Sequence, residues 1–88
     1  MAEVVELEVV EDLMVQRVRA VLAVDGEVSL DARFVEDLRA DSLDIVEVVE
    51  GVERLLAERG VDVELPVEEL MGLRTLRDAA ERIHGTAR

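Results

Sequence analysis

Residues 39–49 read RADSLDIVEVV, and the organisation of the chain follows from this stretch. Ser42 and Leu43 stand between Asp41 and Asp44, at the head of a run whose apolar residues recur at helical spacing. At about 100° per residue, Ile45, Val48, Val49, Val52, Leu55 and Leu56 gather on one side, with Asp44, Glu47, Glu50, Arg54 and Glu58 opposite. The spacing predicts a helix from about Asp41 to Glu58, stopped by Gly60. Leu43 falls within the charged side, where an amphipathic helix gains nothing from it.

Two readings stand for each of these residues. Leu43 either packs back against the preceding loop or is an apolar anchor ringed by acid that meets a basic partner. Ser42 is either a helix cap or a hydroxyl with another task. Asp41, with Asp44 three residues on, already offers a cap. A helix start is also where a phosphate is well tolerated, because free N–H groups and the helix dipole favour negative charge. No histidine or cysteine is near Ser42 in sequence to activate it. On these residues alone, capping is the simpler reading.

N-terminal to this helix, the loop over roughly residues 25–40 opens with turn chemistry at Asp25-Gly26. It holds Val28, Leu30, Phe34, Val35 and Leu38, which predicts a loop packed down on the helices. Before it, Val10, Met14, Val18, Val21 and Leu22 recur at helical spacing from about Val9, with Glu11, Gln16, Arg17 and Arg19 off that stripe. Residues 1–8 read as extended or as a frayed helix start. On the C-terminal side, Pro66 suits the first turn of a short helix and Gly72 closes it. A last helix runs from about Thr75 to His84, with Thr75 and Asp78 at capping-box spacing and Leu76, Ala79, Ala80 and Ile83 inward. The expected fold is all-α: a small antiparallel four-helix bundle of three main helices and one short one, with a long first loop.

The 88 residues fit a single domain, 1–88, with half of them hydrophobic and only Phe34 aromatic. A domain this small buries roughly 60% of its unfolded surface, which leaves little room for a deep cleft. The net charge of −12 repels nucleic acid phosphates and anionic membranes and speeds encounters with basic protein surfaces. Nucleic acid and membrane are therefore not expected as partners. The same charge, with no surplus apolar face, predicts a monomer; the segment EVVELEVV, residues 3–10, is the one stretch that could instead pair as a strand. Without cysteine there are neither disulfides nor thiolate metal sites. The acidic start lacks the pattern of a signal peptide, and no apolar run nears the ~20 residues that span a bilayer, so a soluble cytoplasmic protein is expected.

Other candidate chemistry is sparse. The acids from Asp25 lack the order of a calcium loop, and no metal site is expected. His84 reads as a surface or helix-end residue, and no carboxylate pair is marked for acid–base work. The chain is not expected to be an enzyme.

The longer stretch FVEDLRADSLDIVEVVEGVE, Phe34 to Glu53, resembles the modification site of acyl carrier proteins. Their usual pattern is Phe-Val-Glu-Asp-Leu-Gly-Ala-Asp-Ser-Leu-Asp, leading into an acidic helix. The resemblance runs more loosely over residues 9–84 and includes Glu64-Leu65-Pro66 before the short helix. It implies covalent 4′-phosphopantetheine on Ser42, attached from coenzyme A by a phosphopantetheinyl transferase, with acyl or polyketide intermediates carried as thioesters. It also implies recognition of Asp41, Leu43, Asp44, Glu47, Glu50 and Glu53 by acyltransferase or ketosynthase-type enzymes with basic surfaces. Val49, Val52, Leu55 and Ile83 would line a cleft that shelters an acyl chain.

This chain departs from the pattern at Arg39, where the family often has Gly, at Glu50, where it often has an apolar contact, and at Arg54, where it often has acid. The stretch before Pro66 is also longer than in the common fatty-acid type. These departures point to a specialised carrier for a polyketide or another secondary pathway. The competing reading is an acidic helical interaction module that docks on a basic enzyme and is never modified.

Overall fold

The computed structural model describes residues 5–87. Four helices account for the regular structure: α1 Leu7–Leu22, α2 Ser42–Glu58, α3 Val67–Leu70 and α4 Leu76–Thr86. As expected, the protein is an all-helical bundle with three main helices, one short one and a long first loop. Helix α1 packs on both α2 and α4, while α3 touches α2.

Each boundary has a local cause. Helix α1 starts at Leu7, two residues before the periodicity becomes clear, and Val5 ahead of it is buried. Glu6 is extended as the N-cap, and Leu7 and Glu8 are already helical; residues 1–4 of the expected extended or frayed segment lie outside the described residues. Helix α1 ends with Ala23 in the left-handed region at φ 53, a conformation that no glycine or asparagine in the sequence announces. Helix α2 ends where Gly60 takes φ 82 and Val61 N–H donates to the Leu56 carbonyl at 2.9 Å. Helix α4 opens with the expected reciprocal cap: Asp78 N–H donates to Thr75 Oγ1 at 3.0 Å and Thr75 N–H to Asp78 Oδ2 at 3.2 Å.

The core is apolar throughout. Val10, Leu13, Met14 and Val18 of α1 meet Ile45, Val48, Val49, Val52 and Leu56 of α2 and Leu76, Ala79, Ala80 and Ile83 of α4. Phe34 is fully buried although it lies in a loop. Removing a buried aromatic of this kind costs about 3–5 kcal/mol.

The first loop packs down as its composition predicts, with one exception. Val28, Leu30 and Leu38 are half-buried against the core, but Val35 is 57% exposed. The turn around Val35 has Leu38 N–H donating to the Arg33 carbonyl, which points residue 34 inward and residue 35 outward. The loop is stitched to the start of α4: Phe34 N–H donates to the Arg74 carbonyl at 2.8 Å, Leu76 N–H to Ala32 at 3.2 Å and Arg77 N–H to Leu30 at 2.8 Å. Arg77 adds an ion pair to Asp31 at 3.0 Å. The stitching fixes where the chain enters α2.

Candidate functional site

The approach to α2 is a tight turn over residues 33–40. The Asp37 carboxylate accepts the Arg33 N–H at 2.8 Å, and Arg33 also pairs with Asp37 through its guanidinium. These two bonds, the backbone one foremost, hold the Asp37 carboxyl below its ordinary value of 3.8. Arg39 then takes φ 57, the left-handed region. Ala40 is buried and donates its N–H to the Phe34 carbonyl at 2.8 Å. With Ala40 anchored inside, the next residues emerge at the surface.

Asp41 is the N-cap of α2 and Ser42 its first residue. Asp44 N–H donates to Asp41 Oδ1 at 2.9 Å, and Asp41 N–H donates to Asp44 Oδ2 at 3.1 Å. The two acids complete the cap, so the exposed Ser42 hydroxyl has no part in it. The amides of Ser42 and Leu43 belong to the first turn, where a helix has no internal acceptor to offer. Leu43 is 77% exposed, so it does not pack on the preceding loop.

The remaining expected recognition residues separate into two groups. Glu47 and Glu50 are exposed, and on the helical wheel Leu43, Glu47, Glu50 and Arg54 lie within about 60° of one another. Glu53 lies on the flank instead. It is half-buried, and its Oε2 accepts the Leu65 N–H at 2.8 Å, tying the α2–α3 connection to α2. Burial pushes the Glu53 carboxyl above its ordinary 4.5, with Glu50 and Glu64 adding repulsion against the opposing pull of the Leu65 bond.

Of the expected cleft residues, Val49, Val52 and Ile83 are closed within the core and Leu55 is half-buried. Sheltering a chain among them would require α2 to part from its neighbours. An open concavity of about 440 Å³ lies elsewhere, between Gly72, Leu73 and the α4 residues Asp78, Glu81, Arg82, Gly85 and Thr86. His84 is half-buried, not merely superficial, and its Nε2 lies 3.1 Å from the Val5 carbonyl. No described helix is long and apolar enough to cross a membrane.

The sequence reading missed Arg17, which is half-buried against α2 at Gly51. The available signal was a glycine in the middle of a helix, where alanine would be favoured.

The donor groups at this helix start suit a phosphodiester: an exposed hydroxyl outside the cap, first-turn amides beside it, and the positive end of a helix dipole. The sequence comparisons agree with that chemistry. Residues 12–83 match the family described as a phosphopantetheine attachment site. An acyl carrier protein from Clostridium perfringens (strain SM101 / Type A) is 37% identical over 59 residues, covering 67% of this chain and 71% of the relative. An acyl carrier protein from Helicobacter hepaticus is 41% identical over 63 residues, covering 70% and 76%. The chain belongs to the acyl carrier protein family, a carrier and not a catalyst, with 4′-phosphopantetheine as its prosthetic group.

Proposed function

We propose that Ser42 is the attachment point of the phosphopantetheine arm and that this protein carries acyl or polyketide intermediates between cytoplasmic enzymes. The observation that carries this reading is the cap of α2, which Asp41 and Asp44 complete between themselves while Ser42 stays exposed and uncommitted. In the attachment step the Ser42 Oγ–phosphorus bond forms as the phosphoanhydride of coenzyme A breaks, adenosine 3′,5′-bisphosphate leaves, and the serine proton passes to a base on the transferase. Ser42 needs no base of its own, because the transferase supplies one. The bound arm supplies a thiol on which cargo rides as a thioester.

Asp41, Leu43, Asp44, Glu47 and Glu50 are proposed to meet the transferase and later acyltransferase or ketosynthase-type enzymes. Leu43 would be the apolar contact, and the acids would steer basic surfaces toward it. Glu53 has a structural task first, since its carboxylate holds Leu65 N–H. Val49, Val52, Leu55 and Ile83 are proposed to border the space an acyl chain enters when α2 shifts outward. The specialised character of the carrier rests on Arg39, Glu50 and Arg54. Arg39 in particular keeps a side chain in a left-handed conformation beside the modified serine.

The test is intact mass after incubation of the folded protein with coenzyme A and a broad-specificity phosphopantetheinyl transferase. The wild type is expected to gain one phosphopantetheine unit and Ser42→Ala none. A helical, folded sample that neither this transferase nor the cognate one modifies would favour the unmodified docking module.

A further inference from the structure

The middle of α2 holds two features that carriage of an arm on Ser42 leaves without a task. Gly51 is buried there, in a position where alanine would favour the helix more. Arg17 of α1 fills the space: a Cβ on Gly51 would lie 3.0 Å from Arg17 Cζ and 3.1 Å from its Cδ, and nearer still to Nε. That Nε is buried and has no hydrogen-bond partner. The ion pairs among the described residues engage Arg33, Arg77 and Arg82 instead. An arginine stem covers apolar ground well, but methionine would do so without desolvating a charged group. The helix therefore gives up a side chain to seat a guanidinium that takes part in none of the ion pairs among the described residues.

The second feature is Arg54, exposed and equally outside those ion pairs. It follows Gly51 at i+3, a neighbouring position on the helix surface. Glu47 and Arg54 lie about 40° and 60° from Gly51 on the same side of the wheel. The row that begins with Leu43, Glu47 and Glu50 thus ends in two guanidinium groups.

We propose that Arg17 and Arg54 form a carboxylate-accepting position at the far end of the docking face. Its occupant is an aspartate or glutamate side chain of a partner enzyme whose basic residues meet Glu47 and Glu50. The inference rests on the reading of this face of α2 as the partner surface. Guanidinium groups suit a carboxylate because their paired N–H donors match its two oxygens. A free small anion is disfavoured by the net charge of −12; a carboxylate delivered on an otherwise basic surface is not. A phosphate esterified to Ser42 is out of reach, since Gly51 lies nine residues further on, about 13 Å along the helix axis. A face that runs from acid to base fixes the register of docking and penalises a partner that is basic throughout.

The experiment uses two helical peptides of identical composition, each with a lysine stripe and one glutamate. In one peptide the glutamate stands where it meets Arg54 when the lysines meet Glu47 and Glu50; in the other it is moved to face Glu47. Fluorescence anisotropy at low salt is expected to show the full chain binding the first about fivefold more tightly. Arg54→Ala, at an exposed position that does not threaten folding, should reduce the preference. Arg17→Met combined with Arg54→Ala should abolish it while circular dichroism shows the helices intact. Equal binding of the two peptides by the wild type, or an unchanged preference in Arg54→Ala, overturns the inference. Modification by coenzyme A and the transferase, run on the same samples, separates the two readings. An arm on Ser42 with no peptide preference sinks only the carboxylate position, whereas a preference with no arm sinks only the carrier assignment of Ser42.

Discussion

Asp41 and Asp44 exchange hydrogen bonds across the start of α2, each accepting the other's backbone N–H, at 3.1 and 2.9 Å. The serine between them is therefore dispensable for folding. Ser42→Ala is expected to shift the thermal midpoint by no more than a few degrees, whereas Asp41→Ala loses about 1 kcal/mol of stability. Thermal unfolding followed by circular dichroism measures both. A large loss from Ser42→Ala would show that the hydroxyl helps to hold the helix start.

Arg39 sits at φ 57 beside this cap. A side chain in that region costs about 1–2 kcal/mol, and glycine does not incur it, although glycine adds freedom to the unfolded chain. Arg39→Gly is expected to stabilise the protein by about 0.5–1 kcal/mol in urea unfolding. A loss would mean that the arginine side chain itself supports the turn.

Glu53 gives the fold a pH dependence of its own. Its carboxyl is raised above 4.5 chiefly by burial, so the folded state disfavours its charge. Its contribution to stability is fully present below pH 4.5 and is lost as pH rises through the raised value. Glu53→Gln keeps an acceptor for the Leu65 N–H and is expected to be more stable than wild type at pH 7, with the gap closing towards pH 4. Glu53→Ala, which leaves that N–H without its acceptor, should fall about 1 kcal/mol below the glutamine variant. Urea titrations at the two pH values provide the comparison.

Asp37 behaves in the opposite sense. Its carboxyl is depressed below 3.8, first by the Arg33 N–H and second by the Arg33 side chain. The bonds of this turn hold above that pH and loosen as pH falls through the depressed value. Carboxyl NMR titration should place Asp37 below 3.8, and Arg33→Ala should move it only part of the way back, because the backbone donor remains. Complete recovery in that variant would assign the whole effect to the guanidinium.

Gly51 and Arg17 should couple in a double-mutant cycle. Gly51→Ala in an Arg17→Ala background is expected to gain about 0.5–1 kcal/mol from helix propensity. In the wild-type background the new Cβ must first displace Arg17, and the gain shrinks or reverses. Additive effects in chemical denaturation would show that the two residues do not compete for the same space.

Much of the bundle was legible because the governing signals are local. The period of α2, the cap at Thr75 and Asp78, and the stop at Gly60 each depend on residues within a few positions of one another. Ser42 was singled out by the resemblance of residues 34–53 to a modification site; the local signals alone favoured a cap, even with Asp41 and Asp44 already offering one. What escaped the sequence depends on distant parts of the chain. Glu53 looked like one more acid on the recognition face, and its bond to Leu65 appears only once the α2–α3 connection folds back. Val35 was expected to pack inward with its neighbours, yet the turn at Arg33–Leu38 turns it out. Arg17 read as a polar residue off the α1 stripe, and only the approach of α1 to α2 places it against Gly51.

The stitching of the first loop onto α4 bears on the order of events during synthesis. Asp31 and Arg77 are separated by 46 positions, and the neighbouring backbone bonds span similar distances, so closing this loop is a late, non-local step. A nascent chain that has not yet delivered residues 74–77 lacks the partners that hold Phe34 and Ala32 in place. Helix α2 can form by then, and the turn leading to Ser42 has its own bonds of Asp37 to Arg33 and Ala40 to Phe34, but not its tie to α4. The serine therefore gains its final presentation only when the C-terminal helix arrives, and a transferase that requires that presentation would pass over incomplete chains.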